Sequence, residues 1–75
     1  MNPTIYRIRI RSHLDPRWAE WFDGLTIQRA AEGETILMGY LPDQAALFGT
    51  LMKIRDLGLT LIAVEPVIQG LKPEE

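Results

Sequence analysis

Arg7, Arg9 and Arg11 alternate with Tyr6, Ile8 and Ile10 along one short segment. At period two, an extended chain points the three guanidinium groups to one side and the three apolar residues to the other. Guanidinium groups in a row are suited to carboxylate or phosphate oxygens. Ile36, Met38 and Tyr40 repeat the two-residue spacing in a second segment, against Leu37, Gly39 and Leu41. Small Gly39 suits the side that a helix approaches closely, so Ile36, Met38 and Tyr40 are expected on the outer side, beside the arginines. The expected surface is therefore Arg7, Arg9, Arg11, Ile36, Met38 and Tyr40.

Three uses compete for it. A solvated face needs only the arginine stems to cover their apolar neighbours while the heads stay in water. A self-association surface uses the same apolar residues to extend the core of a small domain across a two-fold axis. An anionic ligand or single-stranded nucleic acid would meet the arginines with phosphates and Tyr40 with a base. One tyrosine is a poor stacking platform, and no segment carries the basic-Gly-aromatic signature of RNA-binding sheets. Nucleic acid therefore ranks below a protein partner, which is either a second copy of the chain (a homodimer) or another protein.

Catalytic arrangements are thinner. His13 and Asp15 lie two residues apart and could form a hydrogen-bonded pair that orients an imidazole, but a solvated loop histidine beside a helix cap is the favoured reading. Ser12 adjoins His13, but spacing alone does not make a nucleophile and base, which geometry would have to confirm. Glu32 and Glu34 flank Gly33 in a turn, and Asp43 reads as a cap. Trp18, Trp21 and Phe22 read as core rather than as a ligand pocket. No cysteine is present, which removes disulfides, iron–sulfur sites and thiol nucleophiles, and one histidine cannot build a metal cage. The glycines are dispersed, with no phosphate loop. The expectation is a protein that is not an enzyme, with no cofactor and no metal.

Length and charge narrow the frame. Seventy-five residues make one small domain, which buries only about 60% of its unfolded surface. Hydrophobic residues at 47% and charged residues at 24% are ordinary for a folded chain. The net charge of −2 gives no global field for polyanions. It hides an asymmetry: residues 1–30 hold five arginines against three acids, and residues 31–75 hold three basic residues against seven acids. No apolar stretch approaches the roughly 20 residues of a membrane helix, and Met1 to Thr4 does not begin a secretory signal. A cytoplasmic protein, with no membrane partner, is expected.

The elements that must position these residues follow from the pattern. Thr4 to Arg11 is a strand. Asp15 caps and Pro16 opens a short helix with Trp18, Trp21 and Phe22 on one stripe, ended by Gly24. Leu25 to Ala30 and Thr35 to Leu41 form a hairpin around Gly33. Asp43 caps a longer helix with Leu47, Leu51 and Ile54 inward, Phe48 and Met52 widening the stripe, and Gly58 as its stop. Leu59 to Val64 is an almost wholly apolar strand, expected to be covered on both faces and limited by Pro66. The core should span about residues 4–68, with 69–75 a frayed tail. The order strand, helix, strand, strand, helix, strand predicts an α+β fold, a ferredoxin-like βαββαβ sandwich. Its four-stranded antiparallel sheet has strands one and three central and both helices on one face.

The chain resembles a small family of uncharacterised bacterial single-domain proteins. The resemblance lies in His13-Leu14, in Arg17-Trp18-Ala19-Glu20-Trp21-Phe22-Asp23-Gly24-Leu25-Thr26-Ile27, and in Gly33-Glu34-Thr35. It continues in Asp43-Gln44-Ala45-Ala46-Leu47 and Ile54-Arg55-Asp56-Leu57-Gly58-Leu59. It spans about residues 5–64. In that family a histidine often follows the Ala-Ala-Leu segment, where this chain has Phe48. The resemblance implies a small bacterial domain without an assigned activity, and no site residue beyond those already read from the pattern.

Overall fold

The computed structural model describes residues 4–22 and 24–67. Its strands are β1 (Thr4–Arg11), β2 (Thr26–Arg29), β3 (Thr35–Leu41) and β4 (Thr60–Val67). They form one antiparallel sheet in the order β2-β3-β1-β4, with β1 and β3 central. A seven-residue 3-10 helix, Pro16–Phe22, connects β1 to β2, and the α-helix α1, Gln44–Asp56, connects β3 to β4. The fold is α+β. The expected tail and the end of the expected core at residue 68 lie outside the described residues, as does Asp23.

Alternation decides which side of the sheet is core. Ile8 and Ile10 of β1 and Leu37 and Leu41 of β3 are buried, and they join Phe22 of the 3-10 helix and Leu47 and Ile54 of α1 in one cluster. Both helical segments therefore pack on the same side. Tyr6 also lies there, and its hydroxyl accepts a 3.1 Å hydrogen bond from Gln44 Nε2. Thr35 is fully buried and uses its hydroxyl to donate to the Ser12 carbonyl, tying the end of β1 to the start of β3. Asp43 caps α1, its carboxylate accepting from the Ala46 N–H at 2.9 Å.

Four expectations need correction. The first crossover is a 3-10 helix rather than an α-helix. Only a few residues separate its capping Asp15 from Gly24, and the tighter winding needs just three residues per turn. At that winding Trp18 and Trp21 stack edge to face with centroids 5.6 Å apart, but only Phe22 is buried and Trp21 is 40% exposed. In α1, Phe48 and Met52 stand in solvent at 56% and 49% exposure, and the buried stripe is Leu47, Thr50 and Ile54. Thr50 is tolerated there because its hydroxyl donates to the Ala46 carbonyl one turn back.

β4 is an edge strand, with one neighbour, and is not covered on both faces. Its register against β1 slips by one residue, from Ala63 opposite Arg9 to Leu61 opposite Ile10, leaving Ile62 as the extra residue of a bulge. The strand continues through Pro66, which an edge can accept because the outer side needs no ladder donor. Gly39 does face the core side, but its close neighbour is Leu25 rather than a helix: a Cβ on Gly39 would lie 2.7 Å from Leu25 Cδ2. In the hairpin turn around Gly33 that residue takes positive φ (75°), and Glu32 shares it (63°). Primed hairpin turns ask for that pair of conformations.

Candidate functional site

The face of the sheet opposite the core collects the six residues singled out by spacing. Register places Tyr40 beside Ile5, Met38 beside Arg7 and Ile36 beside Arg9, with Val67, Glu65 and Ala63 completing the same rows on β4. Thr26 and Gln28 extend the Met38 and Ile36 rows on β2. Tyr40 is 61% exposed, and Ile36, Met38, Ile5 and Val67 are half-buried. An apolar band thus crosses one end of the face and runs along β3, with the arginines beside it on β1.

The arginines are not three equivalent cations. Arg7 Nη2 donates to Glu65 Oε1 at 2.7 Å, a cross-strand pair with both side chains about two-fifths exposed. The hydrogen bond from Arg7, then the Arg7 charge, hold the Glu65 carboxyl below its ordinary range, against a desolvation that pushes it up, and Arg9 adds a smaller lowering. Arg9 Nε lies 3.8 Å from Glu34 Oε1. Arg11 is exposed and has no ion-pair partner among the described residues. Arg7 Nε is buried without a hydrogen-bond partner among the described residues. Two of the three guanidinium groups are thus already facing carboxylates of this chain, which a phosphate would have to displace.

Glu65 and Glu34 are the members of this site that pattern reading misses. Glu65 lies 58 residues from Arg7, so only the β1–β4 register brings it there, and the bulge hides that register from any counting rule. Glu34 is recognisable only as a turn acid until the hairpin places it beside Arg9.

The polar groups elsewhere are local. Asp15 Oδ1 accepts from the Arg17 N–H at 3.0 Å and Oδ2 lies 3.7 Å from Arg17 Nε, so it caps its own turn rather than orienting His13. His13 is exposed, its ring beside Gly33. Ser12 contributes its carbonyl to Thr35. Lys53 Nζ donates to the Trp21 carbonyl at 2.7 Å and sits 5.6 Å from the Trp21 ring, joining α1 to the 3-10 helix. Among the described residues no three His, Asp or Glu side chains converge as metal ligands, and no helix is long and apolar enough to cross a membrane.

No curated protein and no solved structure matches the chain. A family described as "Domain of unknown function (DUF8691)" matches residues 5–65, which takes in all four strands except the tips of β1 and β4. The chain belongs to that family.

Proposed function

We propose that this chain is a non-catalytic protein-interaction domain that works through the open face of its sheet. One observation carries the reading: Ile5, Ile36, Met38 and Tyr40 lie on the side away from both helical segments, and Tyr40 is 61% exposed beside arginines that already face carboxylates. Tyrosine, methionine and arginine are the residue types enriched where proteins meet. Charges paired within the face cost less to take out of water than unpaired charges, although the cost is not removed. The reading includes a reduced ferredoxin-like sandwich. Central β1 and β3 support that architecture, and the 3-10 helix in place of the first α-helix is its point of departure.

The anionic-ligand reading through Arg7, Arg9 and Arg11 ranks second, because among the described residues Arg7 and Arg9 already face carboxylates. Its test is an oligonucleotide titration at two salt concentrations, where Arg9→Glu should abolish any electrostatic binding.

A photo-crosslinking amino acid at position 40, in cells, tests the first reading. A discrete adduct is expected, either at twice the chain mass or with another protein. The same probe at Arg17, 82% exposed on the 3-10 helix, serves as control. Equal or absent adducts at both positions would remove the open face as the contact surface.

A further inference from the structure

We propose that the 3-10 segment Pro16–Phe22 is a strap that opens from the fold while the sheet stays intact, and that Lys53 of α1 is the latch that holds it shut. The inference concerns the helix side of the sheet and does not depend on the open face.

Seven residues are many for a 3-10 helix. Its hydrogen bonds are poorly aligned, and runs beyond about four residues are uncommon. A helical segment of that length does not hold itself in water either. Its own side chains anchor it at few points. Of the seven only Phe22 is buried, Trp18 is partly buried against the core cluster, and Trp21 is 40% exposed.

The destinations of the backbone hydrogen bonds decide whether the segment can move alone. The Trp18 N–H donates to the Asp15 carbonyl at 2.9 Å, the Gly24 N–H to the Ala19 carbonyl at 3.1 Å and the Leu25 N–H to the Phe22 carbonyl at 3.2 Å. The Asp15 carboxylate accepts from the Arg17 N–H. Each of these closes within the segment or at its own ends. Among the described residues no hydrogen bond joins the backbone of Pro16–Phe22 to the backbone of a strand, so opening breaks no rung of the sheet.

The chain on either side is fixed. Thr35 holds the Ser12 carbonyl, and Leu14 and Leu25 are buried. Gly24, at φ +80° with open space where a Cβ would stand, is a joint beside the second anchor. The segment is thus a strap between two fixed points, and opening takes Phe22 out of the core cluster.

Lys53 reaches it from α1. Its Nζ donates to the Trp21 carbonyl at 2.7 Å and lies 5.6 Å from the centroid of the Trp21 ring. The last carbonyls of a helical segment lack partners within it and carry partial negative charge, which suits an ammonium group. The contact is exposed, so its release perturbs the strap and leaves the sheet in place.

Amide hydrogen exchange followed by NMR on the whole chain, at several sub-denaturing urea concentrations, tests both parts. Trp18, Gly24 and Leu25 should share one opening with one urea dependence, at least about tenfold more populated than the opening of β1 and β3. Leu25 is the decisive reporter, because it is 1% exposed and its protection does not come from a wet surface. Lys53→Met, which keeps an unbranched stem without the donor or the charge, should speed these three amides about five- to tenfold and those of β1 and β3 less than about twofold. Lys53→Arg, with its donor and charge retained, should restore the slower rates. Exchange of the three amides through the same opening as β1 and β3 would overturn the strap, and so would three unrelated urea dependences, which mean fraying residue by residue. Equal acceleration of strap and sheet in Lys53→Met, or no acceleration of either, would overturn Lys53 as the latch.

Discussion

The two faces of β1 and β3 are made by the same fifteen residues and obey different rules. On the helix side Ile8, Ile10, Leu37 and Leu41 are each no more than 2% exposed, and every neighbour in their packing belongs to this chain. On the open side, side chains of similar size alternate with the buried ones along the same strands, yet Tyr40 is 61% exposed and Met38 and Ile36 are half-buried. Burial holds the first face together. On the second, arginines face carboxylates of the same chain beside apolar side chains that stay partly exposed. Adjacent positions such as Leu37 and Met38 should therefore respond very differently to the same change.

The largest contrast is expected there. Leu37→Ala removes buried methyl groups from the middle of the cluster and should cost about 2–5 kcal/mol by chemical denaturation. Met38→Ala, one residue away, should stay within about 0.5–1 kcal/mol. Comparable losses at both positions would mean that the open face is part of the folding core, and the two-face distinction would fail. Gly39→Val sharpens the same boundary. Valine suits a strand, but its Cβ would lie 2.7 Å from Leu25 Cδ2 and 3.4 Å from Leu25 Cα, and Leu25 is itself buried. A loss of about 1–3 kcal/mol is expected from overpacking. A neutral or stabilising result would show that Leu25 has room to move.

Thr35→Val is a smaller intervention on the core side. It keeps the shape and removes the hydroxyl that donates to the Ser12 carbonyl, so that acceptor loses its partner. About 1 kcal/mol should go, together with faster amide exchange where β1 leaves the sheet around Ser12. Thr35→Ser, which retains the donor, should restore the protection.

How much of this was legible in the chain follows the same division. The alternation of β1 and β3, the Asp43 cap and the Gly58 stop are local devices, written within a few residues, and they stand in the structure as they read. β4 did not, because its bulge adds one residue and cancels the period-two signal. Leu61-Ile62-Ala63-Val64 then looks like a strand buried on both sides although it is an edge. Phe48 and Met52 lie at helical spacing from the inward stripe, and sequence cannot say how wide a stripe the sheet will cover. The six outward residues were legible as a set because period two is a backbone property. Their carboxylate partners were not, since Glu65 reaches Arg7 only through a register that crosses almost the whole chain.

The smallest effect, and the one that probes the charge pairing on the open face, is expected from Glu65→Gln. In the folded chain Arg7 holds the Glu65 carboxyl below its ordinary value of about 4.3. A depressed folded pKa means that the unfolded chain binds the proton more readily, so the contribution to stability is complete above the unfolded value and disappears as pH falls through the folded one. Thermal melts should show the wild type above Glu65→Gln near neutral pH, with the gap closing below about pH 4. Because both partners are partly in water, the gap should also shrink in about 1 M salt, where exposed charges are screened within a few ångströms. A gap that stays constant from neutral pH to pH 3 would mean that Glu65 acts through packing on β4, and Arg7 would then count as an available cation on the open face. That outcome would bring the anionic-ligand reading level with the protein-contact reading, since the internal pairing of Arg7 is what separates them.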